Sequence, residues 1–196
     1  MLNEPTMTKL CGMKLNGMAE AYAEQRISST IMDLSFEERF AMLVERQWIW
    51  KENRSLTTRL TYAGLKQPAA IEDLDFRDSR GLKRAQIEQL ATGTWVEQHQ
   101  NVIVTGPTGC GKTFVACALA HKACREGHRA LYFYAPKLFR ELLAGQADGS
   151  LPTLLKKLSK TRLLVIDDFG LEKIEERQYG EFLELVDDRH GNGSTL

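Results

Sequence analysis

The period of the hydrophobic positions changes along the chain, and the changes mark its elements. Up to about Lys66 the spacing is helical. Leu10, Met13, Met18 and Tyr22 form a loose stripe. Ser35-Phe36-Glu37-Glu38 reads as a capping box, with Ser35 as N-cap and Glu38 reaching back. Phe36, Phe40, Leu43 and Val44 then fall on one helical face. That helix is expected to run through Trp48 toward Leu60 and to stop at Ala63-Gly64. Gln67-Pro68 opens a linker through Asp78, whose Ile71, Leu74 and Phe76 suit packing onto a core. Ser79 is placed to cap a short helix carrying Leu82, Ile87 and Leu90, and Gly93 breaks it before Trp95-Val96 lead into a strand.

Beyond that point, short apolar runs alternate with helical stretches. Asn101 to Thr105 is apolar and β-branched, the pattern of a buried parallel strand. Phe114 to Arg125 is alanine-rich and suits a helix. Arg129 to Ala135 predicts a second strand, ended by Pro136. Helices are expected over Lys137–Leu143 and Leu151–Leu158, around a polar loop at Gly145 to Ser150. Leu163 to Ile166 predicts a third strand, and Gln178 to Arg189 a helix with Phe182, Leu185 and Val186 on its apolar side. After a turn at Gly191-Asn192-Gly193, Ser194-Thr195-Leu196 reads as a strand just starting. Strand and helix in alternation predict an α/β fold with a parallel sheet and right-handed crossovers. The expected organisation is a helical domain over 1–66, a linker and helix over 67–100, and the α/β core over 101–196. All six methionines lie at or before Met42, a composition shift that supports the first boundary.

Composition narrows the class. With 43% hydrophobic and 27% charged residues, the chain fits an ordinary globular protein rather than a disordered one. The formal net charge is zero, so any basic surface must be local. No apolar run approaches membrane-spanning length, and the first residues lack a basic-then-apolar signal pattern. Cys110, Cys117 and Cys124 recur every seven residues, a spacing read as a buried small-residue stripe rather than a metal site. The expected compartment is the reducing cytoplasm.

Two motifs carry chemistry. Gly106-Pro107-Thr108-Gly109-Cys110-Gly111-Lys112-Thr113 reads G-x-x-x-x-G-K-T, a P-loop or Walker A pattern, set between a predicted strand and a predicted helix. Its glycines let backbone N–H groups turn inward as an anion nest at a helix N-terminus. Lys112 is a point charge for the β- and γ-phosphates of ATP, and Thr113 offers a hydroxyl to Mg²⁺. Cys110 fills a variable place, as a small filler. Leu163-Leu164-Val165-Ile166-Asp167-Asp168 is an apolar run ending in paired carboxylates, a Walker B pattern. Asp167 is expected to hold Mg²⁺, directly or through water, and Asp168 to orient or deprotonate the attacking water. Many related ATPases place glutamate there; aspartate is shorter by roughly 1.5 Å. Water as the nucleophile also disfavours a small-molecule kinase.

Other basic residues are less specific. Arg46 to Arg54, with Arg59, Tyr62 and Lys66, mixes cations with Trp48 and Trp50. It suits nucleic-acid contact or a partner protein, but a solvated helix face with tryptophans packed on a neighbour is the favoured reading. Arg77, Arg80, Lys83 and Arg84 form a smaller cluster, read the same way.

Taken with Arg84-Ala85-Gln86-Ile87-Glu88-Gln89-Leu90 and the Phe169-Gly170 that follows the carboxylates, these motifs resemble the IstB-like ATPases, the transposition helpers of bacterial insertion sequences. DnaC-type helicase loaders and DnaA-type initiators of the AAA+ class are more distant resemblances. The resemblance implies a P-loop AAA+ core and an ATPase that uses Mg²⁺. It further implies assembly on duplex DNA as a homo-oligomer and an IstA-type transposase as partner. A helicase loader, or a non-catalytic module binding DNA or transposase through Met1 to Lys66, stays open beside it. In that class the sheet is ordered five-one-four-three-two, and here Leu196 falls where the fourth strand begins. The expectation is a truncated copy, with an unfilled central slot and two unpaired strand edges. Nucleotide binding is then expected to survive in part and hydrolysis not to, since an arginine finger is worth about 10³–10⁵ in rate.

Overall fold

A computed structural model describes residues 4–77, 81–171 and 176–196. The Ser79 cap and Arg80 lie outside the described residues. The chain divides into two compact units, Met1–Thr57 and Thr58–Leu196.

The first unit is helical: α1 (Glu4–Gly12), α2 (Asn16–Ile27), α3 (Ser29–Met32) and most of α4 (Phe36–Ala63). The capping box forms as expected. The Ser35 N–H donates to Glu38 Oε2 at 2.9 Å and the Glu38 N–H donates to Ser35 Oγ at 3.3 Å. The methionine–tyrosine stripe is not the packed face, however. The buried residues of α2 include Gly17, Ala21 and Gln25, four residues apart on one side, while Met13 is exposed. Close approach of two backbones explains the change. A Cβ on Gly17 would lie 2.6 Å from Trp50 Cβ and 2.8 Å from the Arg46 carbonyl oxygen, so only glycine fits there. Two hydrogen bonds hold the crossing, from the Met18 N–H to Gln47 Oε1 and from Gln25 Nε2 to the Arg39 carbonyl. Phe36, Phe40 and Val44 share a helical face and remain exposed.

The second unit is built on a three-stranded parallel sheet in the order β1 (Ala130–Tyr134), β2 (Leu163–Asp167), β3 (Ser194–Thr195). Its helices are the end of α4, α5 (Arg84–Ala91), α6 (Thr94–Glu97), α7 (Lys112–Arg125), α8 (Ala135–Asp148), α9 (Leu151–Ser159) and α10 (Glu176–Arg189). Side chains alternate across the sheet. Leu131, Phe133, Leu164 and Ile166 pack with α8, α9 and α10 through Leu138, Leu142, Leu155, Leu158 and Leu185. Tyr132 faces the other way, onto Cys117 and Ala118 of α7. By the same alternation Asp167 points to the α7 side. Cys117 and Cys124 are buried, and burial pushes both thiols up, while Cys110 is exposed in the loop. The linker packs as expected: Ile71, Leu74 and Phe76 lie against Ile87, Val115 and Leu119.

Several expectations need correction. Asn101–Thr105 forms no strand and is not buried: Ile103 is 87% exposed. A strand exists only where a ladder does, and this segment makes one such bond, from the Val102 N–H to the Thr195 carbonyl at 3.0 Å. Trp95 and Val96 are buried in the single turn of α6 instead of leading directly into a strand. The polar loop at Gly145 to Ser150 shrinks to Gly149-Ser150, because α8 continues to Asp148. The central slot is partly filled. The Leu196 N–H donates to the Leu164 carbonyl and the Ile166 N–H to the Leu196 carbonyl, which places β3 between β2 and the segment leading to the P-loop.

Arg189 anchors that placement. It is 2% exposed, and among the described residues it has no carboxylate partner. Nη1 donates to the carbonyls of Leu158 and Thr161 at 2.5 and 2.7 Å, Nη2 to the Ser194 carbonyl, and Nε to Thr195 Oγ1. Burial pulls its pKa down to about 10, so it remains a cation at neutral pH, facing carbonyls at the C-terminal end of α9.

Replacing Arg189 by methionine leaves buried carbonyls without donors. It is expected to cost about 3 kcal/mol of stability in urea unfolding. Gly17→Val is expected to destabilise the helical unit by at least about 2 kcal/mol through overpacking, read as loss of α-helical circular dichroism at lower temperature.

Candidate nucleotide site

The P-loop spans the turn before α7. Gly109 and Gly111 have φ of 80° and 97°, backbone that a Cβ disfavours, and Gly111 stands immediately before the first helical residue, Lys112. Gly106, Pro107, Thr108, Gly109 and Cys110 are exposed. The loop thus presents the N-terminus of a 14-residue helix to solvent, a place where backbone N–H groups and the helix dipole favour an anion. The Lys112 ammonium donates to the carbonyls of Gly106 and Pro107, each at 2.9 Å, which keeps it on the loop.

The two motifs meet at one carboxylate oxygen. Asp167, at the C-terminal end of β2, is 7% exposed. Its Oδ2 accepts from the Thr113 hydroxyl at 2.8 Å and from the Tyr132 phenol at 2.6 Å. Lys66 Nζ lies 3.6 Å from the same oxygen and 3.5 Å from Asp168 Oδ2. Burial acts to raise the Asp167 carboxyl. The Tyr132 and Thr113 hydrogen bonds, the Lys66 charge and the Asp168 N–H outweigh it, so the net shift is downward. Burial, reinforced by the bond to Asp167, raises the Tyr132 phenol, which stays a donor at any physiological pH. Desolvation opposes the charge on Lys66, and the two aspartates more than compensate, raising its pKa.

Asp168 itself has φ of 58°, the left-handed region that non-glycine residues enter at some cost. That turn carries its carboxylate out of the strand's alternation. It is about one-third exposed and beside Lys66. The arrangement provides an anion nest, a mobile cation, a hydroxyl–carboxylate pair suited to a hard metal ion, and a second carboxylate open to water.

Lys112, Thr113, Asp167 and Asp168 were readable as a set, and the fold brings Thr113 onto Asp167 across 54 positions. Lys66 and Tyr132 were not readable as site residues. Tyr132 appeared only as one residue of a strand, and Lys66 only as one cation in a basic stretch. Neither sits in a local motif, so nothing short of the tertiary contact identifies them. That basic stretch is largely engaged within its own units. Arg46 pairs with Glu24, Arg54 lies 5.1 Å over Trp50, and Arg59 Nε donates to the Cys124 carbonyl. In the smaller cluster Arg77 pairs with Asp75, and Arg84 with Glu88 and the Phe76 ring.

A carboxylate held below its ordinary pKa stabilises the fold above its unfolded value and loses that contribution as pH falls through the folded one. Tyr132→Phe removes one charged hydrogen bond. It is expected to lower stability at neutral pH by about 1–2 kcal/mol and to move the acid-unfolding midpoint to higher pH, measured by fluorescence.

Comparison with known proteins agrees with this geometry. The family described as IstB-like ATP binding protein matches residues 8–196. A putative insertion sequence ATP-binding protein, y4pL, of Sinorhizobium fredii is 41% identical over 196 residues, covering 100% of this chain and 80% of that protein. The insertion sequence IS1162 putative ATP-binding protein of Pseudomonas fluorescens is 41% identical over 197 residues, covering 100% of this chain and 85% of its own. Among solved structures, the DnaC helicase loader aligns with a TM-score of 0.53 at 22% identity over 68% of this chain and 74% of that one. AMPPCP-bound DnaA from Aquifex aeolicus aligns at 0.58 and 18% identity over 68% and 42%. Those two likenesses give the fold alone, a P-loop α/β core of the kind seen in that loader and that initiator. The match along nearly the whole sequence gives the family: this chain belongs to the IstB-like ATP-binding proteins of insertion sequences.

Proposed function

We propose that the chain binds ATP with Mg²⁺ at Gly106–Thr113 and Asp167, and that it serves as an ATPase helper of transposition on duplex DNA. The observation that carries the nucleotide site is the 2.8 Å bond between Thr113 and Asp167, which joins the P-loop to the acidic strand end. The donor set fits Mg²⁺. One hydroxyl and one ionised carboxylate oxygen are a typical protein contribution to a metal that keeps waters and phosphate oxygens as its other ligands. Among the described residues no cluster of three or more His, Cys, Asp or Glu forms a self-sufficient metal cage.

Each residue has a task in this reading. The loop N–H groups and the α7 N-terminus receive the phosphates, and Lys112 leaves its two carbonyl partners for the β- and γ-phosphates. Thr113 and Asp167 hold the metal ion, which when bound neutralises charge on the phosphate oxygens. Asp168 orients or deprotonates the attacking water, its carboxylate being more exposed than that of Asp167. The names of the relatives, insertion sequence proteins, favour transposition over helicase loading. A transposase encoded by the same element, duplex DNA and further copies of this chain are the proposed partners.

Fluorescent-nucleotide titration of the full chain tests the site. Lys112→Ala is expected to weaken ATP binding by about ten- to a hundredfold, the loss of one charged contact, and Asp168→Asn to leave binding nearly intact. Equal affinity in wild type and Lys112→Ala would sink the assignment. Turnover measured with and without duplex DNA, against Asp168→Asn as the blank, reads hydrolysis separately from binding.

A further inference from the structure

Asp167 Oδ2, the oxygen assigned to the metal ion, already has two donors and a cation. Thr113 and Tyr132 donate to it, and Lys66 Nζ stands at 3.6 Å while also reaching Asp168 at 3.5 Å. Among the described residues no other cation pairs with either aspartate. The lysine is held in place from several sides. Leu65 packs in the cluster formed by Ala69, Cys117 and Ala118, and the backbone of Lys66 and Gln67 lies against the Cys117 sulfur. The preceding Ala63 is fully buried. The ammonium also sits 5.8 Å over the Tyr134 ring, at the end of β1 next to Asp167 in register. The packed backbone places the root of the lysine stem within reach of both carboxylates.

We infer that Lys66 is a tethered counter-ion of the Asp167–Asp168 pair, which a divalent cation must displace to bind. This rests on the assignment of Asp167 as a metal-holding residue. One positive charge bridging two carboxylates does in part what the metal does: it neutralises them and fills the space between them. Metal entry therefore requires the ammonium to leave. It can do so because the side chain is 48% exposed and carries a flexible stem. The same exposure keeps the competition modest, since ion pairs open to water contribute little. Lys66 is thus a positioning residue for the metal site, setting how much divalent cation is needed before the site is loaded.

The test uses the full chain and two probes. Mn²⁺ alone is titrated against nucleotide-free protein by electron paramagnetic resonance. Mg²⁺ is then titrated for binding of a fluorescent ATP analogue. Lys66→Gln and Lys66→Ala are expected to tighten Mn²⁺ binding and lower the half-saturating Mg²⁺, each by about three- to tenfold. Lys66→Arg, which keeps the charge, is expected to stay near wild type. Analogue affinity in the presence of EDTA is expected to be the same in all four proteins. Unchanged or weaker Mn²⁺ binding in the glutamine and alanine variants, with native circular dichroism, overturns the inference. So does a loss of analogue affinity in EDTA, which would make Lys66 a phosphate ligand. If wild type takes up no analogue while Lys66→Gln still tightens Mn²⁺, the ATP assignment fails and the counter-ion role stands.

Discussion

The candidate nucleotide site depends on one buried carboxylate oxygen. Asp167 Oδ2 takes hydrogen bonds from the first turn of α7 and from β1, and lies beside a cation from the segment after α4. A buried carboxylate without such partners would protonate or destabilise the fold. With them it stays charged, and it joins three separate stretches of chain at the proposed metal position. The same bonds that make the charge tolerable therefore also fix the spacing between the P-loop helix and the acidic strand. Structural role and chemical role are not separable at this residue.

A second constraint lies at the opposite end of the short strand. Arg189 is buried and bonded to carbonyls from three segments, the end of α9, the turn after it and β3. Gly193 has no room for a side chain, since a Cβ would meet Arg189 Nη2 at 2.9 Å and the Thr161 carbonyl at 3.0 Å. Together they seat Ser194 and Thr195 beside β2, and Thr195 in turn receives the Val102 N–H. The segment that leads to the P-loop is thus positioned through an arginine that makes no ion pair among the described residues. This burial also removes Arg189 from any contact with a nucleotide or a partner.

The helical unit follows a different rule. It is held by small residues at a close backbone crossing, Gly17, Ala21 and the amide of Gln25, rather than by its methionines. Several of its large apolar side chains, Phe36, Phe40 and Trp48 among them, remain exposed. Of its cations, Arg46 pairs with Glu24 and Arg54 lies over the Trp50 ring.

Much was legible in the sequence because it was local. The P-loop needs glycine at the positions of positive φ and a lysine and hydroxyl at the helix start, so eight consecutive residues carry it. The capping box at Ser35 and Glu38 and the stop at Ala63 are likewise written in short windows. What the sequence could not carry was pairing across distance. Whether Asn101–Thr105 becomes a strand depends on how many residues of β3 lie beside it, and only one ladder bond forms. Which residue of α2 packs is decided by where α4 crosses it. Lys66 and Tyr132 reach Asp167 from 101 and 35 positions away, through packing that no local pattern encodes. The sequence by itself determined the candidate phosphate-binding loop, because that is a matter of residue type at fixed spacing. Only the tertiary structure decided which cation and which phenol attend the acidic strand end, because those partners are chosen by the proximity of distant segments.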